Sequence, residues 1–317
     1  MAISWDPSQL PDLTGRVAII TGGHSGLGLA TTAYLAAKHA KVYVASRSQS
    51  KAQDAIRGIK EKYPDANVEV LVMDLSDQES VKKGVEEFLR KESELHILIN
   101  NAGIMCAPYS ETKQGFEIQF TTNYFSHYLF TALLLPTLIA TASHSPPSTV
   151  RIINVSSDGH AKLAPSSGIN LQDPNLKSSS PWARYGHSKL CQVLHAKQLA
   201  SIYGDRDVVS ASLHPGTVKT GLANGPKGSS WWYKFVQPLV ELGAPGPERG
   251  CWGVVWCAAS RELGEMVEEG GGVNGGYFLP VGKLTKASKC GDDREMARKL
   301  WEWSEERCVE LGLLDEK

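Results

Sequence analysis

A tyrosine that stands four residues before a lysine is the arrangement in this sequence with the clearest chemical use. On a helix the two side chains share one face. A nearby ammonium group lowers the pKa of a phenol, ordinarily about 10, and the phenol can then pass a proton to a substrate oxygen. The pattern occurs three times, as Tyr34/Lys38, Tyr109/Lys113 and Tyr185/Lys189.

Position along the chain separates the three pairs. Tyr34 falls in a helix whose apolar face would pack on a sheet, which favours a core role, and Tyr109 falls in a loop, which favours the surface. Tyr185 follows a predicted strand that ends in Ser156-Ser157. Because ligands of open α/β sheets bind beyond the carboxyl ends of the strands, we expect this tyrosine and a serine hydroxyl at one crevice.

The stretch 17–47 predicts the element that would hold a cofactor beside these groups. An apolar run, Val17–Ile20, leads into a glycine-rich turn, a helix-like segment and a second β-branched run, Val42–Val44. The glycines of the turn are spaced as Gly22-x-x-x-Gly26-x-Gly28. In this strand–turn–helix–strand context the glycines let the backbone approach a pyrophosphate, whose charge then lies at the positive end of the helix. The stretch therefore predicts a dinucleotide-binding unit.

The end of the second strand indicates which dinucleotide is bound. A NAD-binding unit usually places an acid there, about 20 residues past the glycines, to bond the ribose hydroxyls. Ser46 and Arg47 occupy the position here, followed by Ser48. A guanidinium group attracts a 2′-phosphate that a carboxylate would repel, so we expect NADP(H).

Composition excludes several other classes of protein. The chain has 317 residues and a net charge of −1, and nothing in it predicts nucleic-acid binding. Its six cysteines form no CxxC pair and no zinc-ligand spacing, which predicts no metal site and reduced thiols in the cytoplasm. Residues 1–16 contain no apolar core, and the longest apolar run, 129–142, is too short to cross a bilayer, so we expect no membrane span.

Predicted strands and helices alternate along the rest of the chain. Helices are expected over 50–63, 76–92, 115–140, 182–203, 247–260 and 292–311, and strands over 68–72, 97–99, 150–155, 208–213 and 276–279. Ser76 with Glu79 three residues on predicts a capping box at the start of the third helix. The alternation predicts one α/β domain with a doubly wound parallel sheet and helices on both faces.

Several motifs occur in the order seen in the short-chain dehydrogenase/reductase family. They are Thr21-Gly22-x-x-x-Gly26-x-Gly28, Asn100-Asn101-Ala102-Gly103, Asn123, Ser157, Tyr185-x-x-x-Lys189 and Pro215-Gly216-Thr217-Val218-Lys219-Thr220. The sequence resembles that family over roughly residues 15–285. The resemblance implies a single Rossmann-type domain with a seven-stranded parallel sheet, and hydride transfer between NADP(H) and a carbonyl/alcohol pair.

The resemblance also implies roles for individual residues. Tyr185 would be the acid in reduction and the base in oxidation, and Lys189 would bind the nicotinamide ribose and lower the phenol pKa. Ser157 would polarise the substrate oxygen, and Asn123 would hold a water that relays protons to Lys189. Cofactor contacts are implied at Thr21, Gly22, Ser25, Gly26, Leu27, Gly28, Ser46, Arg47, Asp74, Leu75, Asn101, Ala102, Gly103, Tyr185, Lys189, Pro215, Gly216, Val218 and Thr220. Of these, Asp74 would meet the adenine, and Val218 and Thr220 the carboxamide.

Two features depart from the family pattern. Ser25 stands where many NADP-dependent relatives carry a basic residue, so phosphate recognition would rest mainly on Arg47. The segment between Ser157 and Tyr185 is long, which resembles the retinol-dehydrogenase-like and WW-domain-oxidoreductase-like branch. That branch often acts on lipophilic aldehydes, alcohols or steroids.

The substrate would be bound by the least family-like part of the chain. Residues 1–15 are expected to form an N-terminal extension, and residues 221–248 occupy the position of the family's variable substrate lid. The lid carries Trp231, Trp232 and nearby aromatic residues, which favour a flat, apolar ligand. Packing of a short helix on the body, or a contact surface for a membrane or partner, are alternatives for the same cluster.

We therefore expect a ketone or aldehyde reductase that uses NADP(H) on a medium-sized lipophilic carbonyl/alcohol substrate, as a monomer or homodimer. Two alternatives stay open. The chain could be a regulatory or scaffold protein that binds NADP(H), although such a protein needs none of the catalytic residues. It could also use the same tyrosine for a non-redox isomerisation or cyclisation.

Overall fold

The computed structural model describes residues 5–218 and 245–316. Its strands are β1 Val17–Thr21, β2 Lys41–Ser46, β3 Val68–Val72, β4 Ile97–Asn100, β5 Val150–Val155, β6 Val208–Leu213, β7 Tyr277–Leu279 and β8 Lys283–Thr285. They form one sheet in the order β3-β2-β1-β4-β5-β6-β7-β8. Neighbouring strands are parallel from β3 to β7, and β8 pairs antiparallel with β7.

The doubly wound α/β fold is confirmed, but the prediction of seven strands is wrong by one. The additional strand, β8, is three residues long and follows β7 across a turn that contains Gly282 at a φ of 67°. So short a segment, with Lys283 and Leu284 both exposed, carries no alternation of apolar and polar residues that would mark it as a strand.

The helices are α1 Gly26–Ala37, α2 Gln49–Lys62, α3 Gln78–Lys91, α4 Ile118–Phe120, α5 Ser126–Ala142, α6 Gly159–Lys162, α7 Pro181–Tyr203, α8 Pro247–Gly250, α9 Trp252–Ala259, α10 Arg261–Glu268 and α11 Arg294–Glu310. One face of the sheet packs against α3, α5, α7 and α11, and the other against α1, α2 and α9. Trp5, Leu10 and Leu13 of the predicted N-terminal extension are buried in this second core. Because helices cover both faces, the central strands are almost wholly apolar.

Three predicted helices differ from the observed ones. The helix expected over 115–140 consists of α4, a π-helical turn at Thr121–Phe125, and α5. Asp77, not Ser76, caps α3: its carboxylate accepts from the Glu79 N–H at 3.1 Å. The helix expected over 247–260 is divided into α8 and α9, and α10 follows it unpredicted.

One helical stretch in the described part of the chain, Ile118–Ala142, has the length and apolar composition of a membrane-crossing helix. Its most apolar window has a mean hydropathy of 1.4, and 67% of that window is buried inside the protein. A buried core helix has the same composition, so the stretch does not establish a membrane span.

Candidate active site

The carboxyl ends of the central strands bring the predicted motifs to one edge of the sheet. Thr21 ends β1, Asn100 ends β4, and Ser157 follows β5 by two residues. The strand order reverses direction between β1 and β4, because β1 connects outward to β2 while β4 continues to β5 on the other side. This is the position where open α/β sheets form a binding crevice.

The glycine turn between β1 and α1 is held close to the loop after β4. Gly22 and Gly26 have positive φ angles of 66° and 52°, which glycine adopts without strain. A Cβ atom at Gly28 would collide with the carbonyl oxygen of Gly22 and lie 2.7 Å from Nδ2 of Asn101. The glycines therefore keep the backbone of this turn open to close approach at the N-terminus of α1, which fits the pyrophosphate of a dinucleotide.

Thr21 joins this cradle to the loop after β4. Its Oγ1 accepts hydrogen bonds from the backbone N–H groups of Asn101 and Ala102, both at 2.9 Å. The Asn101 amide nitrogen in turn donates to the Thr21 carbonyl at 2.8 Å. These bonds place the predicted cofactor contacts Thr21, Asn101, Ala102 and Gly103 along one wall of the crevice.

The hydrogen bonds of Thr21 determine the tautomer of a buried histidine that the sequence reading missed. Thr21 Oγ1 accepts two N–H groups, and its own hydrogen points to the nearer of two acceptors, Nε2 of His127 at 2.8 Å rather than the Ile99 carbonyl at 3.4 Å. The His127 proton is therefore on Nδ1, which donates to the backbone oxygen of Asn123 at 3.0 Å. Burial lowers the pKa of His127 to about 4, so the ring is neutral. A single histidine within an apolar helix sequence gives no signal of this role.

Asn123 lies in the π-helical turn and connects the crevice wall to α7. Its Oδ1 accepts from the Ile104 N–H at 2.8 Å, and its Nδ2 donates to the Ile104 carbonyl at 3.0 Å and to the Ser188 hydroxyl at 2.9 Å. The Ser188 hydroxyl donates to the carbonyl of Tyr185 at 2.7 Å. The side chain is thus fixed on both sides.

Four predicted catalytic residues converge at the start of α7, which is capped by Ser180 and has Pro181 in its first turn. A Cβ atom added at Gly159 would lie 3.1 Å from Cε1 of Tyr185 and 3.4 Å from Oγ of Ser157. A Cβ atom added at Gly103 would lie 3.2 Å from Oδ1 of Asn123 and 3.4 Å from Nζ of Lys189. The Lys189 ammonium group is 5.8 Å from the centroid of the Tyr185 ring.

The ammonium group of Lys189 is buried between neutral partners. Its Nζ donates to the Val155 carbonyl at 2.9 Å and to Oε1 of Gln192 at 2.8 Å. Neither partner carries a charge, and burial lowers the pKa of Lys189 to about 7. Near neutral pH the group can therefore take up or release a proton without large cost.

The two serines after β5 have different surroundings. The Ser156 hydroxyl is buried and donates to the Lys189 carbonyl at 2.8 Å. The Ser157 hydroxyl is half-buried; it accepts from the Gly159 N–H at 3.1 Å and donates to Oδ1 of Asp158 at 3.2 Å. Oγ of Ser157 and Cε1 of Tyr185 both border the space beside Gly159, whereas the Ser156 hydroxyl is bound to the backbone of α7.

The other two tyrosine–lysine pairs serve structural contacts. Tyr34 packs at the margin of the second core, and Nζ of Lys38 donates to the Ser8 carbonyl at 2.9 Å. Tyr109 lies beside the guanidinium group of Arg184, 5.2 Å from the ring centroid, and Lys113 forms an ion pair with a surface carboxylate.

Positively charged side chains lie near the glycine turn, where β2 ends and α2 begins. Arg47 is exposed at the end of β2, next to Ser46, whose hydroxyl donates to the Ser48 carbonyl at 3.2 Å. Burial, together with the charges of Lys51 and Arg47, lowers the pKa of His24 in the glycine turn. Two cations therefore act on this turn, of which the sequence reading identified only Arg47.

Some of the other predicted cofactor contacts follow the ends of β3 and β6, and one lies outside the described residues. Asp74 follows β3, and its Oδ1 accepts from the backbone and hydroxyl of Ser76; Leu75 is buried beside it. Pro215 and Gly216 follow β6. Val218 packs against α8, since a Cβ atom added at Gly250 would lie 2.5 Å from Cγ1 of Val218. Thr220 and the lid residues 221–244, with the tryptophan pair, lie outside the described residues.

His160 is a second histidine at the site that the sequence reading missed. Its Nε2 accepts from the Ser288 N–H at 3.1 Å, so its proton is on Nδ1, which donates to the Ser157 carbonyl at 2.7 Å. Its ring contacts Tyr277 edge-on, with centroids 4.6 Å apart. The turn that carries Ser157 is thereby tied to the segment after β8.

Comparisons with known proteins agree with this arrangement. The family model described as short chain dehydrogenase matches residues 16–168. Short-chain dehydrogenase/reductase drtF of Aspergillus calidoustus is 40% identical over 320 residues, covering 98% of each chain. Retinol dehydrogenase 11 of Mus musculus is 35% identical over 305 residues, 96% of this chain and 87% of that protein. A crystal structure of an uncharacterised protein from Mycobacterium paratuberculosis superposes with a TM-score of 0.71 at 29% identity, covering 97% of this chain and 98% of that one.

The chain therefore belongs to the short-chain dehydrogenase/reductase family, whose members are oxidoreductases that bind NAD or NADP. Within that family it is a member of the retinol-dehydrogenase-like branch. The expected family and fold are thus confirmed.

Proposed function

We propose that this protein is a cytoplasmic NADP(H)-dependent reductase of ketones or aldehydes, and that its substrates are medium-sized lipophilic molecules. The observation that carries the proposal is the convergence of Tyr185, Ser157, Lys189 and Asn123 beyond the carboxyl ends of β4 and β5. A protein that only bound the cofactor would need neither a phenol beside a serine hydroxyl nor a buried lysine one helical turn away.

The bound cofactor would supply the hydride, and the protein would supply the proton and the electrostatic environment. Ser157 would donate a hydrogen bond to the carbonyl oxygen, which favours the charge that develops there. The Tyr185 phenol would protonate this oxygen. Lys189, with a pKa of about 7, would stabilise the phenolate while charged, give a proton back to it, and then take up a replacement proton from water.

NADP(H) is proposed in place of NAD(H) because of the charges at the adenosine end. Arg47 stands where a NAD-binding unit carries an acid, and its exposed guanidinium group is free to reach a 2′-phosphate. The second cation that acts on the glycine turn, Lys51, lies in the first turn of α2 and adds to the same field. Cytoplasmic location rests on the cysteines, all of which are free thiols.

The proposal is tested with two variants, Tyr185→Phe and its control Tyr34→Phe. The wild type should consume NADPH faster than NADH with hydrophobic ketones or aldehydes. Tyr185→Phe should lose turnover by about 10²- to 10⁴-fold, the range for a general acid, while NADPH still binds by fluorescence titration. Tyr34→Phe removes a phenol from an identical sequence pattern and should retain activity. Full activity in Tyr185→Phe, or product formed without oxidation of NADPH, would contradict the proposal.

A further inference from the structure

The residue after the proposed polarising serine controls where the serine hydrogen points. Asp158 follows Ser157 directly, and the Ser157 hydroxyl donates to its Oδ1 at 3.2 Å while accepting from the Gly159 N–H. A hydroxyl group has a single hydrogen. In the free protein this hydrogen is therefore committed to Asp158, and Ser157 must turn away from the carboxylate before it can polarise a substrate carbonyl.

Asp158 does not serve the structural purpose that its position suggests. It precedes the short helix α6, yet its carboxylate makes no capping hydrogen bond to that helix. It forms an ion pair with Lys162 instead, at 2.5 Å. Burial would raise its pKa, but Lys162, His214 and the Ser157 hydroxyl together hold it below the ordinary value. The carboxylate is ionised at neutral pH and can only accept hydrogen bonds.

Catalysis by Ser157 thus leaves one oxygen of Asp158 without its donor. Oδ1 lies 3.2 Å from Oγ of Ser157, and the side chain is 41% exposed, so a substrate whose carbonyl oxygen meets Ser157 would also lie close to Oδ1. A substrate that covers Asp158 but offers no hydrogen-bond donor in place of the Ser157 hydroxyl would bind more weakly, because Oδ1 would be a charged acceptor without a partner. A substrate with a donor of its own at that place would not.

We propose that Asp158 selects carbonyl compounds that carry a hydroxyl group on the carbon next to the reacting carbonyl, or on the one after it. The proposal rests on the carbonyl reduction proposed above. The carbonyl oxygen accepts from Ser157 while the hydroxyl group donates to Oδ1 of Asp158. Oγ of Ser157 and Oδ1 of Asp158 are 3.2 Å apart, slightly more than the roughly 2.7–2.8 Å that is usual between two hydrogen-bonded oxygen atoms. Two oxygens on neighbouring carbons span a similar distance, so one small molecule can satisfy both groups.

An uncharged donor fits this place better than a cationic one. The ammonium group of Lys162 already lies 2.5 Å from Oδ2 of Asp158 and neutralises the carboxylate. A second cation beside Oδ1 would be repelled by Lys162 at short range. A hydroxyl group supplies the hydrogen bond without that repulsion.

The chemistry leaves the recognised hydroxyl group unchanged. The carbonyl carbon accepts the hydride, with its two electrons, from the reduced cofactor, and the carbonyl oxygen takes the proton of the Tyr185 phenol. A proton from solvent restores the phenol. The products are the oxidised cofactor and a 1,2- or 1,3-diol.

The test compares three ketones that differ only at the carbon next to the carbonyl: 2-hydroxyacetophenone, 2-methoxyacetophenone and acetophenone. For the wild type, kcat/KM with the hydroxy ketone should exceed that with the methoxy ketone by about 10- to 100-fold, the worth of a hydrogen bond to a charged group. In Asp158→Asn and in Asp158→Ala this ratio should fall toward one. Asp173→Asn, the same change at an exposed position in the following loop, should keep the wild-type ratio.

A binding measurement separates this inference from the proposed function. Calorimetric titration of the same ketones into enzyme saturated with NADP⁺ should show the same preference for the hydroxy ketone, and Asp158→Asn should remove it. Equal affinities and equal kcat/KM for the hydroxy and methoxy ketones, with NADPH consumed in both cases, would overturn the role of Asp158 and leave the reductase intact. Absence of NADPH consumption with all three ketones, and with other carbonyl compounds, would overturn both.

Discussion

Replacement of Lys189 by methionine is expected to remove both catalysis and a pH-dependent penalty on the folded state. The ammonium group of Lys189 is buried against two uncharged oxygens, and burial lowers its pKa from the ordinary 10.5 to about 7. Keeping a proton on this group is therefore unfavourable in the folded state. A methionine of similar length fills the same space without a charge to bury. It also leaves the Val155 carbonyl and Oε1 of Gln192 without their donor, at a cost of about 1–3 kcal/mol for each oxygen that does not depend on pH.

The size of the effect follows from the two pKa values. At a pH below 7 the folded state is penalised by the full difference between 10.5 and about 7, which corresponds to roughly 3 to 5 kcal/mol at 1.36 kcal/mol per unit of pKa. Between pH 7 and pH 10.5 the unfolded chain binds the proton and the folded protein does not. The contribution of Lys189 to the free energy of unfolding therefore rises with pH across this window.

The assay is urea unfolding of wild type and Lys189→Met at several pH values, because titration of all other groups cancels in the difference. Between pH 7.5 and pH 9.5 the free energy of unfolding of the variant, relative to that of the wild type, should fall by about 2.5 kcal/mol. Lys197→Met is the matched control on the same helix, since that ammonium group reaches Asp292 at the surface. A difference between wild type and Lys189→Met that does not change with pH would refute the reasoning.

Three further changes test other parts of the site. Arg47→Asp should weaken NADPH binding by roughly 10- to 100-fold and favour NADH, measured by fluorescence titration; unchanged affinity would show that the phosphate is held elsewhere. His127→Phe removes the nearer acceptor of the Thr21 hydroxyl and the donor to the Asn123 carbonyl, and should lower the free energy of unfolding by about 1–3 kcal/mol, whereas His127→Asn, which keeps a donor for that carbonyl, should cost less. Gly28→Ala should lower stability by about 1–3 kcal/mol in the same assay, because its Cβ would collide with the glycine turn; Gly58→Ala, in open space on α2, should not.

The sheet, and the placement of the proposed catalytic residues at one edge of it, can be predicted from the sequence because both depend on local patterns. Apolar runs such as Val17–Ile20 and Val150–Val155 predict buried strands. The rule that ligands bind at the carboxyl ends of such strands then separated Tyr185 from two other tyrosines with the same spacing to a lysine. Side-chain contacts of Tyr34 and Tyr109 agree with that separation.

Features that depend on contacts between distant segments were not accessible in this way. The π-helical turn around Asn123 changes hydrogen bonds without changing the helical periodicity that sequence reading detects. The link from Thr21 through His127 to Asn123 joins residues more than a hundred positions apart. Asp158 resembles an ordinary helix-capping residue until its side-chain partners are known.

The predicted cofactor contacts illustrate a third case. Arg47 is predicted as a cofactor contact from its register after β2, whereas Lys51 and His24 carry no such signal, because a lysine in the first turn of a helix and a histidine in a turn are common on any protein surface. Their proximity follows only from the approach of α2 to the glycine turn.

The antiparallel hairpin formed by β7 and β8 determines whether this edge of the sheet, where β8 is the outermost strand, can pair with a strand of another molecule. An outermost strand with unpaired backbone groups recruits extended peptides and promotes aggregation. Here the chain pairs β7 on both sides by folding back on itself, and the strand left outermost is only three residues long and begins with a lysine. This margin is consequently a poor template for strand addition by a second molecule, and an unfolding event that released β8 would expose a better one.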